Sequence, residues 1–96
     1  MQFLIIAKDG TDEGALERRM KVREAHLEGV RKMRTQGEFI AGGAILDDDG
    51  KMVGSSMIVE FSSREAMDAW LRNDPYVTGG VWKEIDVRPF KLASVG

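Results

Sequence analysis

The segment FIAGGAILDDDGKMVGSSMIVEF, residues 39–61, carries the strongest structural signal in this chain of 96 residues. Two strand-like runs, residues 39–46 and 52–61, flank four polar residues that end in Asp49 and Gly50. An Asp-Gly pair between two such runs is a strong signal for a β-hairpin. The middle of the chain is therefore predicted to form two antiparallel strands.

A buried strand and a long helix are predicted before the hairpin. Residues 2–8 are apolar on both alternating parities, which is typical of a central strand covered on both faces. From Ala15 onward, apolar residues recur at helical spacing until Gly37, which favours a helix end. The apolar positions of this long amphipathic helix are Leu16, Met20, Leu27, Val30 and Met33.

A shorter helix and a last strand are predicted after the hairpin. Ser62 and Glu65 form a capping-box pattern, and the Asp-Pro step at residues 74–75 ends the helix that follows. Residues 81–92 are strand-like, and Pro89 within them predicts either a bulge or an edge strand.

The element order βαββαβ predicts a single α+β domain of the ferredoxin-like type over residues 1–96. Right-handed crossovers give a four-stranded antiparallel sheet with both helices on one face. The first and third strands are then central, and both carry apolar residues on their second face, such as Ile58 between Met57 and Val59. We therefore expect a homodimer in which the two sheets pack against each other and cover that face.

The composition argues against several classes of partner and site. The net charge is −2 with acidic and basic residues interspersed, which predicts no nucleic-acid partner and no anionic membrane partner. Cysteine is absent, and residues 47–49 lack the spacing of a calcium loop, so no metal site is predicted. The apolar run at residues 2–8 is too short for a signal sequence or a membrane span, so we expect a cytoplasmic protein.

His26 is the sole histidine and the natural candidate for a general acid or base near neutral pH. Arg23 lies one helical turn before it and Arg19 about two turns before it, so the three side chains share a stripe suited to an anionic ligand. From the residues alone, a half-exposed histidine beside two solvated arginines is the simpler interpretation.

Three further residues are candidates for the same site. Asp74 suits the N-cap of a short helical turn that begins at Pro75, and a capping carboxylate can also accept a proton from an imidazole nitrogen. Tyr76 can donate a hydrogen bond to a ligand oxygen, although packing beside the helix is the commoner role. Ser55 can place a hydroxyl in the pocket, although a hydrogen bond within the strand explains it equally well.

Four ordered motifs resemble the YciI-like family, the YCII-related domains of the dimeric α+β barrel group. Residues 23–27 (REAHL) resemble the R-x-x-H-L segment, and residues 73–77 (NDPYV) resemble the D-P-Y-V motif. Residues 41–43 (AGG) resemble the family's small-residue segment, and residues 87–91 (VRPFK) resemble its V-x-P-F-K strand. Gly43 stands where the family often has proline. The turn at residues 47–50 is shorter than a loop that some relatives carry, so ligand contacts from such a loop are not expected.

The resemblance implies a dimeric α+β barrel with a pocket in each subunit, in which His26 and Asp74 are the catalytic pair. The residue types and their spacing make Arg23, Arg19, Tyr76 and Ser55 the candidates for substrate binding. It further implies cofactor-independent proton transfer on a small anionic or oxygenated compound, by a lyase, isomerase or hydrolase reaction such as lactone isomerisation or elimination of hydrogen halide. A non-catalytic dimer that binds a small metabolite or a protein is the alternative. Haem binding through His26 is less favoured, because dimeric barrels with that function are usually larger.

Overall fold

The computed structural model describes residues 1–95, so Gly96, the last residue of the predicted domain, lies outside the described part. The elements follow the predicted order, and the short helical turn predicted at Pro75 is present after the second long helix. They are β1 (Gln2–Asp9), α1 (Ala15–Thr35), β2 (Phe39–Leu46), β3 (Met52–Glu60), α2 (Arg64–Asn73), α3 (Pro75–Thr78) and β4 (Trp82–Phe90).

The four strands form an antiparallel sheet in the order β2-β3-β1-β4. The predicted central position of β1 and β3 is therefore confirmed. In register, Ile5 of β1 lies opposite Met57 of β3 and Val87 of β4. Pro89 lies on the edge strand β4, and the shift in pairing with β1 falls between Lys8 and Asp9. Of the two interpretations of Pro89, the edge strand is the correct one.

The predicted hairpin between β2 and β3 is confirmed. Asp47 Oδ1 accepts hydrogen bonds from the backbone N–H groups of Asp49 and Lys51, both at 2.9 Å. Gly50 adopts a positive φ of 83°, which costs glycine little and most other residues considerably more. The turn chemistry at these four positions thus closes the hairpin locally.

The predicted cap of α2 is wrong by one residue. Ser63, rather than Ser62, is the N-cap, and its hydroxyl accepts a hydrogen bond from the N–H of Ala66 at 3.1 Å. The helix begins later because Phe61 is held to the first residue of the chain by two hydrogen bonds. Its N–H donates to the carbonyl of Met1 at 2.9 Å, and the amino group of Met1 donates to the carbonyl of Phe61 at 2.8 Å. Glu65 is consequently the second helical residue and not the third.

The two faces of the sheet have different surroundings. Phe3, Ile5 and Ala7 of β1 are buried in the core together with Met33 of α1 and Met67 of α2, so the long helices cover this face, as predicted. On the other face, the apolar side chains are only partly covered. They include Leu4, Ile6, Ala41, Ile45 and Ile58.

Among residues 1–95, none of the helices combines the length and the apolar character needed to cross a bilayer.

Candidate active site

A cavity of about 240 Å³ lies between α1 and the helix-facing side of β2 and β3. On this side of β2, Gly42 lies opposite Met57 and Ala44 lies opposite Ser55. A Cβ atom at Gly42 would stand 2.7 Å from Cβ of Met57, so there is no room for a larger side chain. Small residues on β2 therefore leave open the space beneath α1. Its lining includes Arg19, Arg23, His26, Leu27, Ser55 and Tyr76.

A larger groove of about 690 Å³ lies elsewhere, between the loop after β1 and the end of the β2–β3 hairpin. Its lining includes aliphatic residues such as Leu16 and Val53 but neither His26 nor Asp74. Of the two, the smaller cavity is the one that His26 lines.

His26 and Asp74 are in direct contact, as the sequence predicts, although they are 48 positions apart. Nδ1 of His26 lies 2.9 Å from Oδ1 and 3.0 Å from Oδ2 of Asp74. A carboxylate only accepts hydrogen bonds, so Nδ1–H is the donor and the lone pair of neutral His26 is on Nε2. The contact with Asp74 therefore fixes the tautomer and the orientation of the neutral imidazole.

The Nε2 atom of His26 remains accessible. Among residues 1–95, Arg19 Nε is the only fully buried side-chain nitrogen or oxygen without a hydrogen-bond partner. Nε2 also has no partner in that part of the chain, so it retains some exposed surface. His26 itself is one of the residues that line the cavity.

Asp74 has a structural role as well. Its Oδ1 accepts a hydrogen bond from the backbone N–H of Tyr76 at 2.8 Å, which caps α3 as predicted. Pro75 occupies the first position of this helix, where the missing N–H costs nothing. The cap fixes the carboxylate, and the carboxylate in turn fixes His26.

Tyr76 packs flat against the imidazole. The two rings stack at 4.0 Å between centroids with an angle of 19° between their planes. Burial raises the pKa of the Tyr76 hydroxyl, so the phenol stays protonated at neutral pH. Like His26 Nε2, the hydroxyl lacks a partner within residues 1–95 without being sealed from the surface. Tyr76 thus presents a hydrogen-bond donor at the cavity wall.

Arg19 lines the cavity, but its charge is compensated within the protein. Its Nη1 donates to both carboxylate oxygens of Asp9 at 3.1 Å, and its Nη2 donates to Ser55 at 2.8 Å. The guanidinium also lies 4.6 Å from the centre of the Tyr76 ring. Arg19 was predicted to attract a ligand anion, but its guanidinium is already paired with the carboxylate of Asp9.

Arg23 also lines the cavity, and unlike Arg19 it is not paired with a carboxylate of the described residues. Within the described residues, it makes no hydrogen bond and no ion pair, and it is only partly buried. Of the two arginines predicted to bind substrate, Arg23 is the one available to an anionic group.

Two residues of this buried network, Asp9 and Trp82, are missing from the predicted site. Asp9 has the same strand parity as Phe3, Ile5 and Ala7, which places a carboxylate on the core side of β1. The burial of Asp9 could therefore have been predicted from the alternation of residues along β1. Trp82 Nε1 donates to Ser55 Oγ at 3.2 Å. The two residues are 27 positions apart, and no local sequence pattern predicts their contact.

Replacing Asp9 by alanine is expected to destabilise the protein by about 3 to 5 kcal/mol, because it leaves the charge of Arg19 buried without a partner. The side chains of this pair are 3% and 2% exposed. Urea denaturation at a fixed protein concentration measures the change.

Asp12→Ala is the matched control, since the adjacent Arg18–Asp12 pair has side chains 32% and 54% exposed. Asp12→Ala should change the free energy of unfolding far less than Asp9→Ala, because exposed ion pairs contribute little to stability. Equal losses in the two variants would show that burial of the Arg19–Asp9 pair has no energetic consequence.

Comparison with known proteins places the chain in a family. The model of the YCII-related domain matches residues 1–91. Protein YciI of Escherichia coli O6:H1 is 38% identical over 97 residues, which cover 95% of this chain and 97% of that protein.

Two solved structures are similar in fold. The 5-chloro-2-hydroxyhydroquinone dehydrochlorinase TftG of Burkholderia phenoliruptrix, in complex with 2,5-dihydroxybenzoquinone, has a TM-score of 0.83 and 30% identity, over 97% of this chain and 96% of that chain. A dimeric ferredoxin-like protein of unknown function from Jannaschia sp. has a TM-score of 0.53 and 15% identity, over 95% and 98% of the two chains. The fold is therefore ferredoxin-like, and the chain belongs to the YciI-like family of YCII-related domains.

Proposed function

We propose that this protein is an acid–base enzyme in which His26 accepts a proton from a small oxygenated substrate. The observation that carries the proposal is the contact of His26, which lines the cavity, with Asp74 behind it: Nδ1 lies 2.9 and 3.0 Å from the two carboxylate oxygens. A histidine held in this way by a carboxylate is fixed in one tautomer and orientation, which is what a general base requires.

The residues around His26 and Asp74 suggest an order of binding and proton-transfer steps. Arg23 attracts an anionic or strongly polar group, and Nε2 of His26 takes a proton from a carbon or a water beside a carbonyl group. Asp74 keeps the other nitrogen protonated and stabilises the imidazolium that forms. Return of that proton to another carbon of the substrate gives an isomerisation. After attack of the deprotonated water on the carbonyl carbon, its transfer to the leaving oxygen gives a hydrolysis, and loss of a halide ion from the deprotonated substrate, with the proton passing to solvent, gives an elimination. The transfer itself uses side chains of this chain.

The size of the cavity favours a substrate with a single ring. A volume of about 240 Å³ is below the range typical of pockets for drug-sized ligands. TftG, 30% identical to this chain, is named as a dehydrochlorinase of a chlorinated hydroxyhydroquinone. Elimination from a halogenated or hydroxylated ring is thus one candidate reaction, and isomerisation of a small lactone is another.

Turnover of a substrate panel tests the proposal. Small lactones, chlorinated quinols, thioesters and related acids should be incubated with the purified protein, and product formation followed by chromatography. We expect turnover of at least one compound class. Binding without turnover across the whole panel would favour the non-catalytic alternative.

A homodimer formed by packing of the two sheets is part of the proposal. The outer face of the sheet carries partly exposed apolar side chains, including Ile6 at 37% exposure. Leaving such a surface in water costs roughly 25 cal/mol per Å². The ferredoxin-like protein from Jannaschia sp. is itself described as dimeric.

Sedimentation velocity at micromolar concentration should give the mass of a dimer, and Ile6→Lys should shift it to a monomer because a charge would face the partner sheet. Met20→Lys is the matched control, since Met20 is 49% exposed but lies on α1, away from that face. A monomeric wild-type protein would contradict the dimer.

A further inference from the structure

Ser55 is held by two donors in the wall of the cavity. It lies on β3, is 3% exposed and stands opposite Ala7 and Ala44, on the side of the sheet that faces the helices. Its Oγ accepts hydrogen bonds from Nη2 of Arg19 at 2.8 Å and from Nε1 of Trp82 at 3.2 Å.

The number of hydrogen bonds fixes the direction of the Ser55 hydroxyl. A serine oxygen has two lone pairs and one proton. Guanidinium and indole N–H groups only donate, so both lone pairs are occupied and the proton must point elsewhere. No atom of residues 1–95 accepts that proton. Ser55 lines the cavity, so the proton points into it, where a ligand can accept it.

The two donors are themselves fixed. Arg19 is bound through both oxygens of Asp9 and lies 4.6 Å from the centre of the Tyr76 ring. Trp82 is 5% exposed and contacts the edge of the His26 ring at 5.9 Å between centroids. Hence the hydroxyl cannot rotate to accept from a ligand without breaking a buried hydrogen bond, which is costly.

We propose that Ser55 is an obligate hydrogen-bond donor to a ligand oxygen, and that the site therefore selects compounds that present a carbonyl, enolate or phenolate oxygen at this position. The positive charge of Arg19 polarises the hydroxyl, which strengthens its bond to an oxygen that gains negative charge. The inference rests on the proposed function because it uses the same cavity. There, a proton taken by His26 beside a carbonyl would leave the developing charge on an oxygen that Ser55 can stabilise.

Binding of 2,5-dihydroxybenzoquinone, which is anionic at neutral pH, tests the proposal without requiring turnover. Ser55→Ala should weaken binding about tenfold, the usual effect of one hydrogen bond to a charged ligand. Ser56→Ala is the matched control, since Ser56 lies opposite Ile6 on the other face of the sheet, and its affinity should equal that of the wild type. Unchanged affinity in a folded Ser55→Ala protein overturns the proposal, as does failure of the wild-type protein to bind the quinone.

A second variant keeps the test decisive if Ser55→Ala does not fold. Trp82→Phe retains the serine but frees one lone pair, so the hydroxyl can also accept from a ligand. The preference for the quinone over benzene-1,4-diol, which offers hydroxyl donors, should fall severalfold relative to the wild type. An unchanged preference overturns the proposal. The two hypotheses fail separately, because quinone binding that depends on Ser55 but is accompanied by no turnover of any compound counts only against the acid–base enzyme.

Discussion

Replacing His26 by asparagine should abolish turnover of any substrate that the protein converts, with a loss of at least about a hundredfold and up to about ten thousandfold. In the proposed reaction Nε2 of His26 accepts the proton, and an amide cannot take its place. Asparagine is a conservative choice, because its side-chain N–H can still donate to Asp74, so the contact at 2.9 Å need not be lost. Steady-state kinetics on a substrate found by screening measure the effect.

The pH profile separates the loss of a base from a general loss of structure. Wild-type turnover should fall as the pH is lowered, because a protonated imidazole has no lone pair with which to accept a proton. Any residual activity of His26→Asn should lack this acid limb. Circular dichroism and sedimentation should match the wild type. Undiminished turnover in a folded His26→Asn protein would show that this histidine is not the base.

The predicted fold is confirmed where local signals and topology agree. The Asp-Gly turn at residues 49–50 and the helix end near Gly37 each depend on one or two residues and their backbone preferences. The central position of β1 follows from chain topology and from its apolar residues on both parities. The cap of α2 is at Ser63 and not at Ser62, because the preceding residue Phe61 is held by hydrogen bonds to Met1, 60 positions away.

The site was only partly predictable from the sequence, because some of its contacts join elements that are distant along the chain. Asp74 can be placed beside His26 because the chain must return past α1 to begin β4, and the family resemblance names the same pair. The partners of Arg19 are different, since its bonds to Asp9 and Ser55 join three elements at a point where no periodicity repeats. Helical spacing predicts that Arg19 lies on the same side of α1 as His26, but it does not predict that Arg19 pairs with the carboxylate of Asp9.

Replacing Asp74 by asparagine should lower turnover by about a hundredfold to ten thousandfold while the protein stays folded. One carboxylate oxygen becomes an NH₂ group. If the remaining oxygen keeps its bond to the N–H of Tyr76, this NH₂ stands about where Oδ2 lies, 3.0 Å from Nδ1 of His26. Since an amide NH₂ only donates, it opposes Nδ1–H and leaves Oδ1, at 2.9 Å, as the single acceptor for that proton. The tautomer with the lone pair on Nε2, which the reaction needs, is then less favoured. The loss should appear mainly in kcat, because the cavity lining is unchanged.

Stability distinguishes this chemical effect from the loss of a helix cap. Asparagine caps helices about as well as aspartate, so Asp74→Asn should change the free energy of unfolding by less than about 1 kcal/mol. Asp68→Asn is the matched control on α2, since its carboxylate only pairs with Arg64 at the surface, where such pairs contribute little. It should leave both stability and turnover unchanged. Wild-type turnover in Asp74→Asn would mean that the carboxylate serves only as the cap of α3 and that His26 needs no orienting partner.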